Sequence, residues 1–233
     1  CMACEAGTFK SAVGSGACAA CLAGTYKNAP GSGSCAACPS HSASVAGSHE
    51  LVDCKCVPGH TAASDGVVCS ACVAGTFKSA VGTAVCVTCP ANAESLSGSA
   101  LCQCSAGFTG ADGGPCSACV AGTFKRVVGN SPCETCPVKT ESSSGSVLCQ
   151  CQAGFTGADG GACVACLAGT YKAAAGSGAC AACPANSSSE AGSDELADCA
   201  CPIGFTGDAT SGGNCTACEA GTFKSAGGTP VTE

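Results

Sequence analysis

Cysteine returns along this chain on a fixed beat, and that beat limits what the chain can fold into more than any other feature. Twenty-eight of the 233 residues are cysteine, a density that belongs to disulfide scaffolds. Ten Cys-x2-Cys pairs are interspersed with four Cys-x-Cys pairs. Two further motifs keep time with them. The tetrapeptide Gly-Thr-Phe/Tyr-Lys starts at Gly7, Gly24, Gly75, Gly122, Gly169 and Gly221, and Gly-Phe/His-Thr follows Cys56, Cys104, Cys151 and Cys201 after two residues. A period of this length marks a tandem array. One unit reads Cys-x2-Cys-x13-Cys-x2-Cys-Pro, about twelve residues, Cys-x-Cys and about eleven more. Cys69, Cys116 and Cys163 open such units, at intervals of 47 residues. The expected division is 1–68, with an inserted half-unit at Cys18 and Cys21, then 69–115, 116–162, 163–214, and a further unit beginning over 215–233.

The residues between the cysteines are mostly Gly, Ala, Ser, Thr and Asp, with β-compatible pieces such as Thr123-Phe124-Lys125 and no amphipathic helical pattern. These signal tight turns and two-stranded hairpins. With no Trp, seven Phe and two Tyr, no ordinary apolar core can be assembled. The expected fold is therefore small, disulfide-rich and mostly hairpins and loops, its tandem modules forming an elongated rod. In each Gly-Thr-aromatic-Lys motif the aromatic is expected to cover a disulfide. The lysine is expected to lay its stem over the ring and keep its ammonium in water.

Several functions are disfavoured. A net charge of −7 with a single arginine, Arg126, offers no surface for nucleic acid. No stretch approaches ~18 uninterrupted apolar residues, so no membrane insertion is expected in this segment. Zinc uses similar cysteine pairs, but the Cys-x-Cys pairs and the regular repetition favour bridges. Ten copies of Cys-x2-Cys without a helix are also unlike a redox enzyme's one low-pKa pair. Catalysis needs a positioned base, and the only histidines, His41, His49 and His60, do not recur from unit to unit. His60 reads as a packing replacement for phenylalanine. Asp112, Asp159 and Asp208 read as turn residues, being too few for the six to eight oxygens of a calcium site. No cofactor and no metal are expected.

The residues Cys119-Val120-Ala121-Gly122-Thr123-Phe124-Lys125, Cys133-x-x-Cys136-Pro137, the serines at 142 to 144 and Cys149-x-Cys151-x-x-Gly154-Phe155 resemble the ephrin-receptor-like cysteine-rich repeat. That repeat is a relative of tumour necrosis factor receptor and epidermal growth factor-like modules. The segment Gly154-Phe155-Thr156-Gly157-Ala158-Asp159-Gly160-Gly161 is similar to repeats in large surface proteins of algae and protists, flagellar-hair (mastigoneme-type) proteins among them. Spacing alone leaves connectivity open. The resemblance to epidermal growth factor-like modules implies an interlaced scheme: Cys72–Cys89, Cys86–Cys102, Cys104–Cys116, Cys119–Cys136, Cys133–Cys149, Cys151–Cys163, Cys166–Cys183, Cys180–Cys199 and Cys201–Cys215. Upstream it implies Cys56–Cys69; the inserted half-unit departs from the family pattern, and there Cys4–Cys21, Cys18–Cys38 and Cys35–Cys54 are expected. Cys1 and Cys218 remain, expected to pair outside a segment cut from a longer array.

Two Asn-x-Ser/Thr sequons, at Asn186 and Asn214, imply N-linked glycan in a secreted chain. Asn186 is favoured, because Cys215 sits inside the other sequon. The expected role is that of a non-enzymatic structural component of an extracellular assembly, a stalk or filament, with copies of itself or other extracellular structural proteins as partners. The alternative is a ligand-binding or adhesion ectodomain of a cell-surface receptor.

Overall fold

The computed structural model describes residues 3–10, 16–63 and 68–224, together with the backbone of 231–232. Among them the chain forms thirteen two-stranded sheets and three single turns of 3₁₀-helix, Leu51–Asp53, Leu196–Asp198 and Ala209–Ser211. Most strands are two residues long, as in Thr123–Phe124 paired with Glu134–Thr135. A ladder this short is marginal by itself, so something else must hold each hairpin shut.

That role falls to the disulfides, which join each cysteine to the next one along the chain. Loops of one kind, here called lysine loops, carry Gly-Thr-aromatic-Lys and are closed by Cys4–Cys18, Cys21–Cys35, Cys72–Cys86, Cys119–Cys133 and Cys166–Cys180. Serine loops follow, closed by Cys38–Cys54, Cys89–Cys102, Cys136–Cys149 and Cys183–Cys199. Phenylalanine loops, with His60 in the first, are closed by Cys56–Cys69, Cys104–Cys116, Cys151–Cys163 and Cys201–Cys215. Cys218 carries no bridge among the described residues, and Cys1 lies outside them.

The interlaced pairing is thus corrected at nine positions. Cys4–Cys21, Cys18–Cys38, Cys35–Cys54, Cys72–Cys89, Cys86–Cys102, Cys119–Cys136, Cys133–Cys149, Cys166–Cys183 and Cys180–Cys199 are replaced by sequential bridges. The reason is local geometry. Cys133 and Cys136 flank the strand Glu134–Thr135, and residues three apart on an extended strand face opposite sides. One faces back into its own loop while the other faces forward. The turn Val120-Ala121-Gly122-Thr123, closed by the Thr123 amide donating to the Val120 carbonyl at 3.0 Å, folds Cys119 back toward Cys133, with their Cα atoms 5.7 Å apart.

The same turn opens every loop. Its third residue after the cysteine has positive φ, for example Gly122 at 80° and Gly154 at 77°, as this turn type demands. In the serine loops the position is held by His41, Asn92, Lys139 and Asn186, with φ between 58° and 66°. In the lysine loops the threonine after the glycine adds its hydroxyl to the same carbonyl, as Thr25 does to Leu22 at 2.8 Å.

Loops stack in triplets. The Gly154 amide donates to the Lys172 carbonyl, Gly169 to Ser189 and Gly192 to Cys166. This order of phenylalanine, lysine and serine loop repeats. In the first triplet the loop closed by Cys4–Cys18 takes the phenylalanine loop's place, its Gly7 amide donating to Lys27. The inserted half-unit is therefore one complete hairpin. Longer serine loops absorb their extra residues in the 3₁₀ turns, where the Asp53 carboxylate accepts the His49 and Glu50 amides and Asp198 accepts those of Asp194 and Glu195.

Two compact units divide the chain: residues 1–105 with 110–117 and 128–130, and residues 106–109, 118–127 and 131–233. In each, sulfur forms most of the interior. Apart from Phe124 and Ala209, the buried apolar side chains among the described residues are all cysteines.

Two measurements test this architecture. Peptide mapping of the unreduced protein is expected to recover Cys119 linked to Cys133 and Cys136 linked to Cys149. A β-carbon at Gly154 would lie 2.3 Å from the Gly192 carbonyl oxygen, whereas one at Gly169, at nearly the same φ, meets nothing within 4 Å. Gly169→Ala is expected to cost about 1–2 kcal/mol through its left-handed backbone alone. Gly154→Ala adds the clash, and amide exchange at Gly192 is expected to accelerate far more in that variant.

Candidate functional site

The chemistry of this chain is concentrated where one loop rests on the next. Four of the five lysine-loop lysines reverse the sequence expectation: Lys27, Lys78, Lys125 and Lys172 are buried, Lys125 to 2% exposure, while Lys10 is half-buried. Their ammonium groups donate to backbone carbonyls. Lys78 Nζ reaches the carbonyls of Cys56 at 2.9 Å and His60 at 2.8 Å, and Lys27 Nζ those of Thr8 at 2.9 Å and Gly31 at 2.7 Å. Lys125 Nζ bonds Phe108 O and Lys172 Nζ bonds Gly176 O. Such an ammonium has three donors to place. At Lys27, Lys78 and Lys125 the accepting carbonyls include ones of the preceding loop, so these lysines clip two loops together, whereas Gly176 belongs to the loop of Lys172 itself. Removal from water pushes the Lys78 ammonium below its ordinary pKa of 10.5.

The serine loops supply a second clip. The hydroxyls of Ser44, Ser95, Ser142 and Ser189 donate to the carbonyls of Thr25, Thr76, Thr123 and Thr170. Sequence reasoning missed both devices, although their signal was there, since a lysine and a serine recur in phase with the cysteines.

At the junction from a serine loop to the next phenylalanine loop, the positive-φ residue meets the aromatic. His41 and His60 stack with ring centroids 4.1 Å apart. Lys139 Nζ lies 4.9 Å from the Phe155 ring centroid, an ammonium over a π-face. His60 is thus a packing residue with a matched partner. His49 lies apart, with Nδ1 3.7 Å from Asp53 Oδ2. The two amide bonds from Glu50 and His49 hold the Asp53 carboxyl below the ordinary carboxylate range.

The turn aspartates divide. Asp112 and Asp159 accept from the Gln103 and Gln150 side chains. Asp208 accepts from the hydroxyls of Ser211 and Thr210, which lower its pKa. Among the described residues, no three His, Cys, Asp or Glu side chains converge as metal ligands would. Both sequon asparagines are exposed and lie at one junction. The Ala185 amide donates to Asn214 Oδ1 at 3.1 Å, and Asn186 Nδ2 donates to the Cys215 carbonyl at 2.9 Å. The outer surface shows aliphatic side chains one residue into four lysine loops, Leu22, Val73, Val120 and Leu167, each at least two-thirds exposed.

Residues 154–199 match the family model described as tyrosine-protein kinase ephrin type A/B receptor-like. The match runs from the turn glycine of one phenylalanine loop to the last cysteine of the following serine loop. This segment is similar to the ephrin-receptor-like repeat. Curated relatives agree. Mouse ephrin type-B receptor 4 is 43% identical over 60 residues and the human protein 46% over 59, each match covering 25% of this chain. Zebrafish ephrin type-B receptor 4a is 43% identical over 56 residues, 24% of the chain. The match spans 6% of the length of each relative. Similarity to that repeat, with thirteen bridges in the array, places this segment in a secreted or cell-surface protein, because thiols persist as bridges only in an oxidising compartment. No helix among the described residues is long and apolar enough to cross a membrane.

The buried ammonium can be tested directly. Lys78→Met removes the ammonium from the Cys56, Val57 and His60 carbonyls, and the local destabilisation is expected to be on the order of 2 kcal/mol, read as faster exchange of the Gly59 and Gly82 amides. In the parent protein, the Lys78 side-chain resonance is expected to titrate below 10.5. With its folded pKa depressed, the folded state binds fewer protons. Stability therefore rises as pH climbs from the folded pKa toward the unfolded one.

Proposed function

We propose that this segment is a non-enzymatic structural spacer within an extracellular assembly, built by repeating one loop chemistry rather than by shaping one loop into a site. The observation that carries this reading is the buried lysine. The chain's regularly repeated cation is used at Lys27, Lys78, Lys125 and Lys172 to bond backbone carbonyls. Equivalent residues do equivalent work in each triplet, which suits a stalk or fibre whose parts are interchangeable. Other copies of the chain or other extracellular structural proteins are the expected neighbours.

A second reading, the ectodomain of a receptor or adhesion protein, draws on the ephrin type-B receptor matches. It also draws on the first compact unit, where Leu22, Val45, Val73 and Leu96 are all strongly exposed. Sedimentation and negative-stain microscopy of the secreted segment separate the two. Concentration-dependent assembly, weakened when Leu22, Val73, Val120 and Leu167 are replaced by Asp, is the expected result for the structural role. A segment that stays monomeric at high concentration and binds a cell surface through the first unit would establish the ectodomain reading instead.

A further inference from the structure

The two sequons occupy one junction in the second compact unit, and their asparagines use opposite ends of the side-chain amide. Asn214 accepts the Ala185 amide through Oδ1, and no hydrogen bond engages its Nδ2 among the described residues. Asn186 commits its Nδ2 to the Cys215 carbonyl. Cys215 is 1% exposed, and its own amide donates to the Ala185 carbonyl at 3.0 Å. The segments 185–186 and 214–215 are thus joined by three hydrogen bonds, and Asn186 Nδ2 faces into that seam. Asn186 also occupies the positive-φ third position of its turn, at 58°.

We propose that Asn214 carries the N-linked glycan of this junction and that Asn186, the sequon favoured by sequence alone, stays unmodified. The bond formed is from Asn214 Nδ2 to C1 of the first sugar. The bond broken joins that C1 to the diphosphate of a polyprenyl-diphosphate oligosaccharide donor. The polyprenyl diphosphate leaves, and Nδ2 gives up one proton. The product is a secondary amide whose Oδ1 still accepts the Ala185 N–H, so the seam survives the modification. At Asn186 the sugar would be attached to the atom that donates to the Cys215 carbonyl at 2.9 Å, so a ring there would crowd the donor that closes the seam beside buried Cys215. Cys215 inside the sequon does not oppose this assignment, because its sulfur is turned inward to Cys201 while the Asn214 side chain is exposed.

The test is site-resolved occupancy. The chain is secreted from cultured animal cells and deglycosylated by peptide N-glycosidase in ¹⁸O-water, then mapped by mass spectrometry. The expected result is ¹⁸O-aspartate at 214 and unmodified asparagine at 186. Thr216→Ala removes the Asn214 sequon but keeps the asparagine in its seam, and is expected to abolish the glycan mass shift. Ser188→Ala does the same for Asn186 and is expected to leave that shift unchanged. Label at 186, alone or with 214, overturns the proposal. So does a secreted chain with neither site labelled, an outcome that leaves the extracellular assignment standing.

Discussion

Everything in this chain follows from closing each short loop with the very next cysteine. Bridges of 12 to 16 residues' separation, as in Cys104–Cys116 and Cys38–Cys54, each remove unfolded-state entropy worth about 3 kcal/mol in the chain-entropy account. That is enough to hold a two-residue ladder that could not hold itself. It also dictates the backbone. A loop so short must reverse sharply after its first cysteine, so the third residue is driven to positive φ, and glycine, asparagine, histidine or lysine is found there.

Small loops leave little apolar surface to bury and many backbone carbonyls to satisfy. Here the polar demand organises the stacking. The carbonyls turned inward by one loop are met by an ammonium and by amides from the next, and a serine hydroxyl completes the set. An aliphatic side chain at Lys78 would fill the same space and still leave the His60 carbonyl without its donor and the Cys56 carbonyl with the Gly82 amide alone. Burying a cation without a carboxylate partner is ordinarily unfavourable. It is tolerated because several carbonyl dipoles converge on Nζ.

How much of this was legible in the sequence depends on the scale. Hairpins, bridges and the absence of an oily core follow from the cysteine density and from glycine-rich spacing, and the structure has them. Connectivity was not legible, because Cys-x2-Cys spacing is compatible with sequential and interlaced schemes alike. What separates them is the facing of Cys133 and Cys136 across a two-residue strand, a property of the folded backbone. Lysine burial was hidden for a related reason. A lysine beside an aromatic ordinarily snorkels to water, and only the inward carbonyls of a loop some twenty residues earlier, such as Cys56 for Lys78, reverse that preference. The matched pair His41 and His60 shows the opposite case: His60 was visible as a departure from the motif, but only the fold sets His41 face to face with it.

Sequential pairing has a consequence for how such chains change length. Among the described residues no bridge straddles another, so a single hairpin, or a whole triplet, can be gained or deleted by unequal recombination without orphaning one of their thiols. The lysine loop standing where a phenylalanine loop belongs, at Cys4–Cys18, is what one such exchange would leave behind. Genes for arrays of this type are free to drift in repeat number while every surviving knot stays tied.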